Sequence, residues 1–197
     1  MVVFSDIVHG FGSVFETPDG LTLEMVLSDK TSSPFSLFDF SEYLKQTYCN
    51  ENLMFYQAVM DYKERCSAYF DGEFDYKHQP EDSKEILLFE TLKNKFEIIL
   101  QTFILTDATQ EINIPYEIRH QLLSSYQRQQ CYHPNLLDPA CNAVIELLRI
   151  SAFIPFATDP SRLKKKSLLK RITTSLKSRY PLASLDSPPM SPKPTWQ

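Results

Sequence analysis

From Ser83 to Leu105 the apolar residues Ile86, Phe89, Leu92, Phe96, Ile99, Leu100 and Phe103 recur mostly at intervals of three and four. That spacing places them along one stripe of a long helix. Such a helix takes most of its stability from packing its apolar side, so the stripe calls for partner helices and predicts a bundle core. Glycine is scarce, with four in 197 residues. Tight turns of β-rich folds and glycine loops that cradle phosphates are therefore disfavoured. Neither GxGxxG nor GxxxxGK[ST] occurs, and no stretch sustains the two-residue alternation of a strand. The expectation is one all-α domain without an internal repeat.

Other segments supply the partners. Leu21–Asp29 suggests one or two helical turns. From Ser36, Leu37, Phe40, Tyr43 and Leu44 keep helical spacing. Asn50 reads as the N-cap before Leu53, Phe55, Tyr56, Val59 and Met60. Residues 66–83, broken by Gly72 and Pro80, read as a loop. Two further helices open with proline in the first turn, "IPYEIRHQLLSSY" and "DPACNAVIELLRI", the second capped by Asp138. "SAFIPFATDP" reads as the end of the compact part. This gives an irregular segment at 1–20, a domain at 21–158 and a tail at 159–197.

The chemistry-bearing residues are sparse. Cys49, Cys66, Cys131 and Cys141 lack CxxC spacing. Metal binding by Cys131, His133 and Cys141 finds little support in that spacing, so reduced, mostly buried thiols are the better reading. His9, His78, His120 and His133 are dispersed, with no argument for a hydrolytic triad. No cofactor, metal or intrinsic catalysis is expected. The N-terminus does not read as a signal peptide, and no unbroken apolar run reaches the ~18 residues of a membrane span.

Charge is divided unevenly. Residues 1–159 carry 24 acidic and 11 basic side chains, whereas 160–197 carry nine bases and only Asp186 as an acid. Within the tail, "SRLKKKSLLKRITTSLKSR" places Leu168, Leu169, Ile172 and Leu176 on one side if helical. Lys164, Lys165, Lys166, Lys170 and Arg171 then suit an anionic membrane surface. The competing reading is a solvated linker. Nucleic acid is not expected as a partner, because interleaved aromatics for base stacking are missing. The Pro/Ser-rich end is expected to be disordered.

One residue stands out against this background. In "QEINIPYEIRHQLL" Asn113 sits between Ile112 and Ile114, just ahead of Pro115. It either caps the following helix or presents its amide outward.

Three stretches taken in order carry a resemblance: "SPFSLFDFSEYLKQTYCNENLMFYQAVMDYK", "EINIPYEIRHQLL" and "HPNLLDPACNAVIELLRISAFIPF". Over about residues 34–157 they resemble the regulator of G-protein signalling (RGS) domain, particularly its fungal members. The resemblance implies about nine helices in two subdomains, one built on an antiparallel four-helix bundle and one gathering the helices near the domain ends. It implies a GTPase-activating protein for the GTP-bound α subunit of a heterotrimeric G protein, terminating receptor signalling and not itself an enzyme. Glu51 and Asn52 match the family's Glu-Asn pair, Asn113 its loop asparagine, Glu111 the acidic neighbour and Leu147 the contacting leucine of the last long helix. Ser151 stands where many members have Asp, and Pro155 where many have Arg. The alternative is a noncatalytic Gα-binding or membrane-adaptor module of the same fold. The implied setting is cytoplasmic, peripheral at the plasma membrane.

Overall fold

Helix entry is set by oxygen-bearing side chains just ahead of the apolar series. In the computed structural model, which describes residues 20–70, 83–129 and 131–179, Thr22 Oγ1 accepts from the Met25 N–H at 3.2 Å and starts α1 (Leu23–Leu27). Ser36 starts α2 (Leu37–Gln46) with a reciprocal cap. The Asp39 N–H donates to Ser36 Oγ and the Ser36 N–H donates to the Asp39 carboxylate, both at 3.2 Å. Burial acts to raise the Asp39 carboxyl, but the Ser36 hydrogen bonds outweigh it and hold it below the usual range. Then come α3 (Asn50–Phe70), α4 (Ser83–Ile99), α5 (Tyr116–Gln129), α6 (Asp138–Leu147), α7 (Ile154–Thr158) and α8 (Pro160–Arg179). Among the described residues the regular structure is entirely helical, as the all-α expectation required.

Helices α3 to α6 form the larger half, with α3 packed on α4 and α6, and α5 on α6. Its centre is aromatic. The Phe96 ring lies 5.5 Å from Tyr62, 5.8 Å from Tyr126 and 5.7 Å from Tyr132, tying α4 to α3, to α5 and to the segment before α6. The buried Tyr62 hydroxyl donates to the Tyr132 carbonyl, satisfying both groups. Burial pushes the Tyr62 phenol far above its ordinary value. Buried Cys66 and Cys141 are pushed up to about 11, so both are neutral thiols near pH 7.

The second half joins the domain ends. Phe156 of α7 meets Phe40 at 5.0 Å, Tyr43 at 5.5 Å and Phe35 at 5.8 Å. The Arg162 guanidinium covers the Phe156 ring at 4.4 Å and donates to the Pro34 carbonyl at 3.2 Å. Farther along, Arg149 pairs with both Glu24 of α1 and Glu146. Two groups of helices thus match the implied two-subdomain arrangement.

Several expectations change. Of the segment 66–83 read as a loop, 66–70 is helix, because Cys66 continues the buried Val59–Tyr62 side of α3 and the helix persists to Phe70. Gly72 and Pro80, residues 1–19 of the segment at 1–20 expected to be irregular, and the end at 180–197 lie outside the described residues. Asp138 does not cap α6; its carboxylate pairs with Lys63 of α3. The entry is instead a 3-10 turn, Pro134–Leu137, whose cap is His133 accepting from the Asn135 N–H at 3.1 Å. "SAFIPFAT" is helical throughout. It continues α6 through a π turn, Leu148–Phe153, into α7. The Ile154 N–H reaches back to the Arg149 carbonyl, and this wide turn gives room to Pro155, which lacks an N–H and would crowd a regular α turn.

The helical run 134–158 is long and apolar enough to cross a bilayer by length and composition. Its interruption by Glu146 and Arg149 hid it from a search for unbroken apolar runs. Buried Val144, Leu148, Phe153 and Phe156 make it a core helix of the domain. Of the two readings of the basic segment, helix and solvated linker, the structure has the helix, α8, which extends to Arg179.

Phe156 is fully buried at the junction of the domain ends. Phe156→Ala should therefore cost roughly 3–5 kcal/mol in urea-induced unfolding, while Phe38→Ala, at a 71% exposed position of α2, should change stability by no more than about 0.5 kcal/mol.

Candidate functional site

The loop from Leu105 to Pro115 is assembled from its backbone outward. A π turn, Leu100–Ile104, ends α4, with the Leu105 N–H donating to the Leu100 carbonyl at 2.9 Å. The chain then reverses through Asp107, whose φ of 62° is left-handed. It returns alongside the π turn. The Gln110 N–H donates to the Thr102 carbonyl and the Ile112 N–H to the Phe103 carbonyl, both at 3.0 Å.

One side chain closes the loop. Arg119 of α5 donates through Nη1 to the Ile104 carbonyl and through Nη2 to the Ile112 carbonyl, each at 2.9 Å. Nη1 also donates to Glu111 Oε1. The other Glu111 oxygen accepts from the Asp107 N–H at 3.0 Å. The Arg119 hydrogen bond, followed by that from Asp107, holds the Glu111 carboxyl below the usual glutamate range. Glu111 is thus occupied inside the loop at both oxygens.

Asn113 is exposed on this frame, while Ile112 and Ile114 are 0% and 6% exposed. The alternation of an extended backbone turns the two isoleucines inward and the amide outward. Of the two readings of Asn113, capping is the one that falls. Helix α5 begins at Tyr116, and the Pro115 carbonyl accepts the first helical bond from the Arg119 N–H.

The other sequence candidates divide into two groups. Glu51 and Asn52 lie in the first turn of α3, with Asn52 Nδ2 donating to Glu51 Oε1 at 3.1 Å. Asn52 is buried at 8% exposure, and its Oδ1 has no hydrogen-bond partner among the described residues. Glu51 is half-buried. One turn on, Phe55 meets Phe103 at 5.6 Å, the residue whose carbonyl accepts from Ile112. The start of α3 and the Asn113 loop are therefore fixed to one another through the core. Leu147 and Ser151 lie on the α6–π rod, which packs against α3. Leu147 is half-buried, while Ile150, Ser151 and Pro155 are exposed. Ser151 caps nothing, since α7 opens without a side-chain cap.

Three residues escaped the sequence reading. Arg119 looks like one more charge on a helix surface, and its carbonyl partners lie seven and fifteen positions back. Tyr48 is 91% exposed at a left-handed φ of 56° between α2 and α3, close in sequence to Glu51. A large aromatic residue at the break "TYCN" was its available signal. Arg149, joining α1 to the last rod, had none.

Together these features define an all-helical recognition domain that presents an uncharged amide from a braced loop. A family model, the regulator of G protein signaling domain, matches residues 27–161. This is more than half of the chain, and the chain belongs to that family. It is accordingly a Gα-interacting regulator of G-protein signalling. No curated protein gives a significant match.

Removing the brace tests this geometry. Arg119→Ala should lower unfolding stability by roughly 1–3 kcal/mol and accelerate amide exchange at Gln110 and Ile112, leaving α3 protected. Glu111→Gln gives the pH signature. Because the folded carboxyl lies below its ordinary value of 4.5, its stabilising contribution is present above that value. It is lost as pH falls through the folded value. Wild type and variant should differ in thermal midpoint at pH 7 and converge in acid below the ordinary range.

Proposed function

We propose that this chain is a GTPase-activating protein for a heterotrimeric Gα subunit. The observation that carries the reading is the outward amide of Asn113 on a loop whose two flanking isoleucines are buried and whose backbone Arg119 clamps. Gα carries its own transition-state arginine and water-orienting glutamine. An activator therefore has to favour the switch-loop arrangement of the transition state over that of the ground state. A neutral amide suits this task because it both donates and accepts without bringing a negative charge toward phosphate.

In this reading Asn113 touches the switch loops and Glu111 keeps Asn113 in place. Glu51 contributes a second contact, held by Asn52 beneath it, and Leu147 and Ser151 border the surface on the neighbouring rod. The bound form of Gα is the GTP form, and the setting is the cytoplasmic face of the membrane where that partner resides. A second reading, a noncatalytic Gα-binding module, draws on Ser151 and Pro155. Both are exposed and uncharged where many members carry Asp and Arg.

Single-turnover hydrolysis by GTP-loaded Gα separates the two. The wild-type chain should accelerate release of phosphate, and Asn113→Ala should reduce that acceleration by about tenfold or more, a loss of roughly 1.4 kcal/mol of transition-state stabilisation. The variant should keep its thermal midpoint, since the removed amide is exposed. Binding without acceleration across a panel of Gα subunits would favour the noncatalytic module.

A further inference from the structure

Helix α8 carries a basic, partly apolar segment that recognition of Gα through the Asn113 loop does not use. Its first turns are seated on the domain. Arg162 covers Phe156, Lys166 lies over the Phe35 ring at 5.6 Å, and Leu163 packs against the core. Arg162 and Lys166, four positions apart, share one side of the helix. Leu168 and Ile172, also four apart, share another side, roughly 120° around the axis. These two side chains are 57% and 55% exposed, and the adjacent Leu169 is 40% exposed. Seating one side of α8 therefore presents to the surroundings a second side on which Leu168 and Ile172 stand in line with Lys165. The side chain of Leu176 lies outside the described residues.

Charge decides what such a surface can meet. Lys164, Lys165, Lys170 and Arg171 are exposed on the same helix, and residues 161–179 hold eight bases and no acid. An occupant must accept branched apolar side chains and several positive charges along one helix. A bilayer containing anionic lipid does both without a matched groove, taking the apolar side chains into the acyl boundary and the bases among the headgroups. Nucleic acid answers the charge alone, and no aromatic residue between 161 and 179 offers base stacking.

We propose that α8 is an interfacial helix that docks this chain on an anionic membrane surface through Leu168 and Ile172, flanked by its exposed bases. This goes beyond the Gα reading and stands independently of it. Docking would raise the local concentration of the chain around any membrane-anchored partner.

Co-sedimentation of the full chain with vesicles, without Gα, tests it. The wild type should bind phosphatidylcholine–phosphatidylserine vesicles, bind phosphatidylcholine alone at least about tenfold more weakly, and lose affinity as salt rises. Leu168→Glu with Ile172→Glu should weaken binding to the mixed vesicles about tenfold or more while leaving the thermal midpoint unchanged. Absence of wild-type binding, or equal binding by the double variant, would overturn the proposal. So would a vesicle-free dimer that the same double variant dissolves, because α8 would then meet a second copy of this chain.

Discussion

The guanidinium of Arg119 organises the surface on which the functional reading rests. It spans the end of the π turn and the returning segment of the loop by donating to the Ile104 and Ile112 carbonyls, and it neutralises Glu111 between them. A planar donor fork suits this arrangement, because it can serve several acceptors at fixed angles. Without it the two carbonyls and the carboxylate would turn to water, and the loop would sample more arrangements. The brace also stands on α5, which packs on α6. Loop geometry is thereby referred to the bundle as a whole.

The two halves of the domain make different demands on packing. Around Phe96, aromatic rings from three parts of the chain set the spacing of the bundle, and the Phe55–Phe103 contact transmits that spacing to the loop. Around Phe156, rings and the Arg162 guanidinium join the ends of the domain. The π turn at Leu148–Phe153 lets one helical rod serve both. It accommodates Pro155 while keeping Leu148 and Phe153 buried on either side of the exposed Ser151. The surface proposed over α3, the loop and this rod can act as a rigid unit only if those elements are locked in register, and the aromatic contacts do so for the first two.

Much of this was legible in the sequence because helix packing leaves a period. Phe96, Leu100 and Phe103 announced their burial by spacing, whereas the local pattern at Ile112–Asn113–Ile114 left a helix cap and an outward amide both open. Ile86 continued the same period yet is 48% exposed, since period alone does not tell where partner helices end. Asp138 carried the right chemistry for a cap, but a long-range partner, Lys63, took its carboxylate. The Arg119 brace and the Arg149–Glu24 pair were invisible for the same reason. They join residues distant in sequence or reach backbone carbonyls, and neither kind of contact leaves a local pattern. The π turn shows the limit from the other direction, with Pro155 marking a disturbance that the fold absorbs without ending the helix.

The central claim is that the Asn113 surface favours the transition-state arrangement of the Gα switch loops. Its most direct test is equilibrium binding of this chain to one Gα in two states, bound to GDP with aluminium fluoride and bound to a nonhydrolysable GTP analogue. The account predicts tighter binding to the aluminium fluoride form, with the preference diminished in Asn113→Ala. Tighter binding to the GTP-analogue form, unchanged by that substitution, would contradict it.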